Sequence, residues 1–77
     1  TQIRFSMGGQ ENVKLVIYDI MGRQVRALIN GESYRPGFHV VNWDGLDNAG
    51  QQVSTGMYIY RIKAGDFIED KKMLLVK

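Results

Sequence analysis

Seventy-seven residues, 44% hydrophobic and 23% charged, suffice for one domain with a thin core, since a chain this short buries only about 60% of the surface its unfolded form exposes. Ten Lys and Arg against eight Asp and Glu leave a net charge of +2 with the signs interspersed for most of the chain, too weak a signal for a nucleic-acid binder, the exception being the end, where Lys71, Lys72 and Lys77 bracket a short apolar run. Zero cysteines exclude a disulfide framework and any thiolate-based metal site or nucleophile, and no apolar run approaches the ~20 residues of a membrane-spanning helix.

Apolar residues recur with period two, so the expected elements are strands. Thr1 to Met7 alternates through Ile3, Phe5 and Met7 and ends at the turn Gly8-Gly9-Gln10. Asn12 to Tyr18 follows, with Val13, Leu15 and Ile17 on one face and Lys14, Val16 and Tyr18 on the other. The run Asp19 to Arg23, with Gly22 in a left-handed position, closes a hairpin with a third strand from Gln24 to Ile29. Asn30 to Gly37 is polar, holds the only proline and reads as a loop between sheets. Phe38 to Trp43 is a short strand whose inward face is ambiguous, Asp44 to Gln52 a loop, and Met57 to Ala64 a longer strand. Gly65-Asp66 suits a type II′ hairpin turn into Phe67 to Val76. The prediction is an all-β, antiparallel β-sandwich of about seven short strands, forming a single domain over residues 1–77. No signal peptide opens the chain, so export would require one upstream of Thr1 on a longer parent.

The loop that follows Trp43 is the first candidate for chemistry, because Asp44, Asp47 and Asn48 surround glycines as in a calcium loop. The spacing fails, since Leu46 stands where an oxygen ligand is needed and Gly56, not Glu, lies six residues after Gly50. Asx turns explain the same residues, and no metal or other cofactor is expected. His39 is the only histidine, and no G-x-S-x-G elbow surrounds Ser6, Ser33 or Ser54. Glu69 and Asp70 are adjacent on a strand and point to opposite faces, so they make a poor acid–base pair. The chain is therefore read as non-enzymatic. Trp43, Tyr58, Tyr60 and Tyr34 are candidates for stacking on sugars, against the expectation that a lone tryptophan fills the core. The closing run Glu69 to Lys77 is an apolar strand bounded by lysines, which either guards a sheet edge or offers it to another protein.

Several segments together resemble a known family. The blocks VKLVIYDIMGRQVRALI, WDGLDNAGQQVSTGMYIYRI and KKMLLVK resemble the C-terminal sorting domain (type A) of type IX secretion cargo, and equally the related Ig-like domain of the flagellar hook-capping protein. The positions that carry the likeness are Tyr18, Asp19 and Gly22, then Trp43, Asp44, Gly45, Asp47 and Gly50, then Gly56, Tyr58 and Tyr60. The resemblance implies an Ig-like sandwich and a non-catalytic secretion and sorting role. It further implies a hydrolase or adhesin cargo on the N-terminal side and outer-membrane secretion machinery as partner, with no nucleic acid and no membrane insertion. The implied location is the periplasm in transit, then the cell surface or the medium. Carried over, the recognition element is Lys71, Lys72, Met73, Leu74, Leu75, Val76 and Lys77. The alternatives are an accessory carbohydrate-binding or spacer domain of an extracellular hydrolase, or a structural domain of a hook-capping protein.

Overall fold

The computed structural model describes residues 1–76. Six strands follow in order: β1 (Gln2–Met7), β2 (Glu11–Asp19), β3 (Gln24–Tyr34), β4 (Gly37–Asn42), β5 (Gly56–Ala64) and β6 (Phe67–Leu75). They form two antiparallel sheets, a four-stranded one in the order β3-β2-β5-β6 and a two-stranded one of β1 and β4. This is an all-β, Ig-like sandwich, with no helix among the described residues.

Strand alternation dictates how the sheets face each other. Val13, Leu15 and Ile17 of β2 are completely buried, and Tyr58, Tyr60, Ile62 and Ala64 of β5 join them on the inner face. The small sheet contributes Ile3 and Met7, and Trp43 enters directly after β4 at 1% exposure. The ambiguity in the Phe38 to Trp43 run is thereby resolved. His39, Val41 and Trp43 face inward, while Phe38 and Val40 stand on the outside, Phe38 at 92% exposure.

Two expectations change. The expected count of about seven strands resolves to the six placed along the chain, and the loop expected over Asp44 to Gln52 runs on to residue 55, with the isolated bridge between Leu46 and Gln52 as its ladder contact. The polar stretch expected to be a loop over Asn30 to Gly37 is instead mostly strand, since β3 runs on to Tyr34 and leaves Arg35 and Pro36 as the connection. The reason is that Asn30, Glu32 and Ser33 are polar and exposed and that the last of a series of bulges falls among them. Pairing with β2 shifts register at three places, which leaves Val25, Leu28 and Gly31 as the extra residues on β3. Each extra residue breaks the two-residue period. Gly31 accommodates the last of them at a φ of 96°.

The β5–β6 hairpin is the opposite case, pairing without a register shift from Ala64↔Phe67 to Gly56↔Leu75. Its turn has Gly65 at a φ of 59° and Asp66 at negative φ, as a type II′ turn requires.

Removing volume at the centre of the inner face should be felt by the whole domain. Leu15→Ala should cost about 3 kcal/mol in urea denaturation, against a total expected at about 4–12 kcal/mol for this length. Val40→Ala on the exposed outer side of the small sheet should stay within about 0.5 kcal/mol.

Candidate functional site

The acidic loop is built around hydrogen bonds that its own carboxylates accept. Asp44 Oδ1 accepts from the Leu46 N–H at 3.0 Å and from Arg26 Nη1 at 3.0 Å. Asp47 Oδ1 accepts from the N–H groups of Ala49 and Gln51, both at 2.9 Å, while Gly50 N–H reaches the Asp47 carbonyl. Asn48 ties the loop to the edge of β3: its Oδ1 accepts from Ala27 N–H, and its own N–H donates to the Val25 carbonyl. These are Asx turns and cross-links between elements. Among the described residues, no group of three His, Asp or Glu side chains is placed to hold a metal ion.

The Leu46 carbonyl is the hub of the loop. It accepts from Trp43 Nε1 at 3.0 Å and from Arg26 Nη1 at 3.1 Å. The indole ring meets Tyr58 edge-on at 5.2 Å, and Tyr58 OH donates to the Ser54 carbonyl at 2.7 Å. Gly45 and Gly50 take positive φ at the bends on either side of Asp47.

The aromatic candidates for sugar stacking are accounted for in the same way. Trp43, Tyr58 and Tyr60 are buried in the core. Tyr34 is half-buried and packs edge-on against Phe5 and His39, at 5.4 and 4.9 Å. His39 donates from Nε2 to the Arg35 carbonyl at 2.7 Å, which closes the β3–β4 corner. An open cleft of about 500 Å³ lies between β1 and the inner side of the β5–β6 hairpin, lined by Phe5, Met7, Ile62 and Phe67 with Glu69 and Lys71. Ser6 also lines it, but its hydroxyl is hydrogen-bonded to neither Glu69 nor Lys71, which pair with each other, and the cleft holds one carboxylate.

The turn at Asp19 repeats the logic of the acidic loop on a smaller scale. Asp19 Oδ1 accepts from the N–H groups of Met21 and Arg23, and Oδ2 accepts from Arg23 Nε, all at 2.9 Å. The Arg23 N–H foremost, with the Arg23 guanidinium and the Met21 N–H behind it, holds the Asp19 carboxyl below the usual aspartate range. The turn lifts Ile20 and Met21 into solvent.

The closing strand, expected as one recognition element, divides by phase. Lys71, Met73 and Leu75 lie on the inner phase of β6, opposite Tyr60, Tyr58 and Gly56, with Leu75 buried and Met73 half-buried. Lys71 Nζ is bound to Glu69 at 3.1 Å, an interaction that raises its pKa. Lys72 and Leu74 lie on the outer phase and are exposed, as is Val76 beyond the strand end. Lys77 lies outside the described residues. The two-residue turn makes Ala64 and Phe67 a hydrogen-bonded pair, so the backbone groups of Ile68, Asp70, Lys72 and Leu74 point away from β5 along a free edge.

Sequence reasoning passed over the outer face of the large sheet. The signal was present, because counting back from the Gly65-Asp66 turn pairs Lys63 with Ile68, Arg61 with Asp70, Ile59 with Lys72 and Met57 with Leu74. Arg61 and Asp70 form a two-point ion pair at 2.7 and 3.1 Å, and the Arg61 guanidinium sits 6.0 Å from the centre of the Tyr18 ring. Hydrogen bonding to that guanidinium lowers the Asp70 pKa.

The family model of the FlgD Ig-like domain matches residues 3–66. No curated protein and no solved structure is significantly similar to the chain.

The Asp19 turn sets a pH dependence whose sign follows from its lowered pKa. The unfolded chain binds the proton more readily, so the stabilisation is complete above the unfolded value of about 4 and is lost as pH falls through the folded one. Asp19→Asn, which keeps the turn but not the charge, should be less stable at pH 7 and show a shallower loss of stability below about pH 4. Urea midpoints measured from pH 7 to pH 2 give both readings.

Proposed function

Because the chain belongs to the FlgD Ig-like domain family, we propose that it is a non-catalytic structural module of a larger protein, of the kind that serves in flagellar hook-capping proteins. The observation that carries this reading is how the polar residues of the acidic loop are used. Every hydrogen bond that Asp44, Asp47, Asn48 and Arg26 make ties the loop to itself or to β3, as a scaffold needs, and among the described residues no cluster of metal-ligating groups gathers around them.

A second reading, a C-terminal sorting domain, is favoured by β6. Of the two edges of the large sheet, β3 is interrupted by three bulges, a common protection against unwanted pairing, whereas β6 is regular over nine pairs. A secretion component at the outer membrane could add a strand to that edge and gain backbone hydrogen bonds, with Lys72 fixing register against acidic groups. In this reading the domain travels through the periplasm to the cell surface behind a hydrolase or adhesin cargo, and binds its receptor at micromolar strength, about 8 kcal/mol, so that it can be released.

A reporter fusion separates the two. Residues 1–77 are placed after a periplasm-directed reporter in a host that carries type IX machinery, with an authentic sorting domain as the positive control. The structural reading predicts that the reporter remains in the periplasm while the control is exported. Delivery of the reporter to the surface, lost on shortening the chain before Lys72, would overturn it in favour of sorting.

A further inference from the structure

The outer face of the four-stranded sheet concentrates the positive charge of the molecule. On β2 it presents Lys14, Val16 and Tyr18, on β5 Met57, Ile59, Arg61 and Lys63, and on β6 Ile68, Asp70, Lys72 and Leu74. Four cations and one carboxylate give this face a charge of +3, more than the +2 of the whole chain, so the remaining charged residues are net acidic. The contribution from β3 is neutral, since Gln24, Ala27 and Asn30 are the residues paired with Tyr18, Val16 and Lys14.

The arrangement of these cations is unfavourable in the free domain. Lys14 and Lys63 are direct cross-strand partners, a placement in which like charges repel. Their neighbours in the same row are Asn30 and Ile68, neither of them acidic. The single carboxylate of the face is already taken, because both Asp70 oxygens are bound by Arg61. Among the described residues, Lys14, Lys63 and Lys72 make no ion pair.

The opposite end of the same face is more apolar, with Lys72, across from Ile59, as its one charge. Met57 and Leu74 are paired across β5 and β6 at 46% and 57% exposure, with half-buried Ile59 beside them. The exposed Ile20, Met21 and Val76 lie at this end too, next to Asp19 and Leu75. Lys63 stands six residue steps along the strand from Met57, which is roughly 20 Å.

We propose that this face docks an acidic segment of a partner protein, lying extended along β5. Carboxylates near one end would sit over the Lys14–Lys63 pair, and apolar side chains about 13 to 20 Å further along would cover Ile59, then Met57 and Leu74. Charge complementarity selects this occupant, because an acidic segment supplies the counter-charge that the free domain lacks. An anionic membrane is the poorer match. The exposed aromatic rings that would anchor in a lipid interface lie elsewhere, Phe67 on the inner phase of β6 and Phe38 on the outside of the small sheet. The inference stands apart from both readings of the domain's place in a larger protein.

The test is a nuclear magnetic resonance titration of the 15N-labelled chain with a ten-residue peptide that carries glutamates in one half and valines alternating with serines in the other. Saturable amide shifts should appear at Lys14, Ile59, Lys63 and Leu74, and binding should weaken about tenfold between low and physiological salt. Lys63→Glu is the decisive variant, because it should raise the urea midpoint of the free chain by removing the repulsion while weakening peptide binding at least tenfold. A role confined to the fold would not move these two readouts in opposite directions. The proposal is overturned by no binding at millimolar peptide, by shifts confined to the cleft beside β1, or by equal binding of a peptide with lysines in place of the glutamates. Binding to phosphatidylglycerol vesicles with none to the acidic peptide would overturn it as well.

Discussion

The position of Trp43 organises this molecule. Its backbone exchanges two hydrogen bonds with Thr1, which extends the β1–β4 ladder by one pair at the mouth of the acidic loop. The indole N–H then holds the Leu46 carbonyl, and that carbonyl also receives Arg26 from β3. The ring packs on Tyr58 of β5. One residue thus connects the small sheet through its backbone and the loop and β5 through its side chain, and the Leu46 carbonyl it holds adds β3. In a chain this short, where little apolar surface is available for burial, the largest side chain placed between the sheets makes a disproportionate contribution.

The acidic loop follows from that constraint. A chain leaving a buried tryptophan must turn at once, and its backbone N–H groups then need acceptors. Asp44 and Asp47 supply them locally, while Asn48 and Arg26 bind the folded loop to β3. The same solution recurs at Asp19 in the β2–β3 turn. One oxygen of each carboxylate, Oδ1 of Asp44 and of Asp47, is committed to the turn, and among the described residues no third acidic or histidine side chain joins them, so the acidic, glycine-rich loop reports on folding.

Legibility in the sequence followed the regularity of the pairing. β2 and the β5–β6 hairpin could be read from period-two alternation and one Gly-Asp turn because no bulge interrupts their mutual register. The far half of β3 is not legible, since the bulge at Gly31 breaks the phase and the exposed polar residues Asn30, Glu32 and Ser33 give a strand the look of a polar loop. The face of Trp43 was likewise undetermined, because Phe38 and Val40 are as apolar as the residues that turn inward; the small sheet leaves them exposed. In the closing strand the sequence shows a run of lysines around apolar residues without showing which lysine faces which way. Strand phase separates them: Lys71 turns to Glu69 on the inner side, and Lys72 joins Lys63 and Lys14 on the outer face.

The account rests on the acidic loop being as firmly folded as the core beneath it. Native-state hydrogen exchange tests this most directly, by comparing the amides of Leu46, Asn48, Gln51 and Val53 with that of Leu15 at the centre of β2. The account predicts that the loop amides open only together with the core, at free energies close to that of global unfolding. Exchange of the loop at unprotected rates while Leu15 stays protected would contradict it, and would return residues 44–53 to the status of a mobile loop available for another purpose.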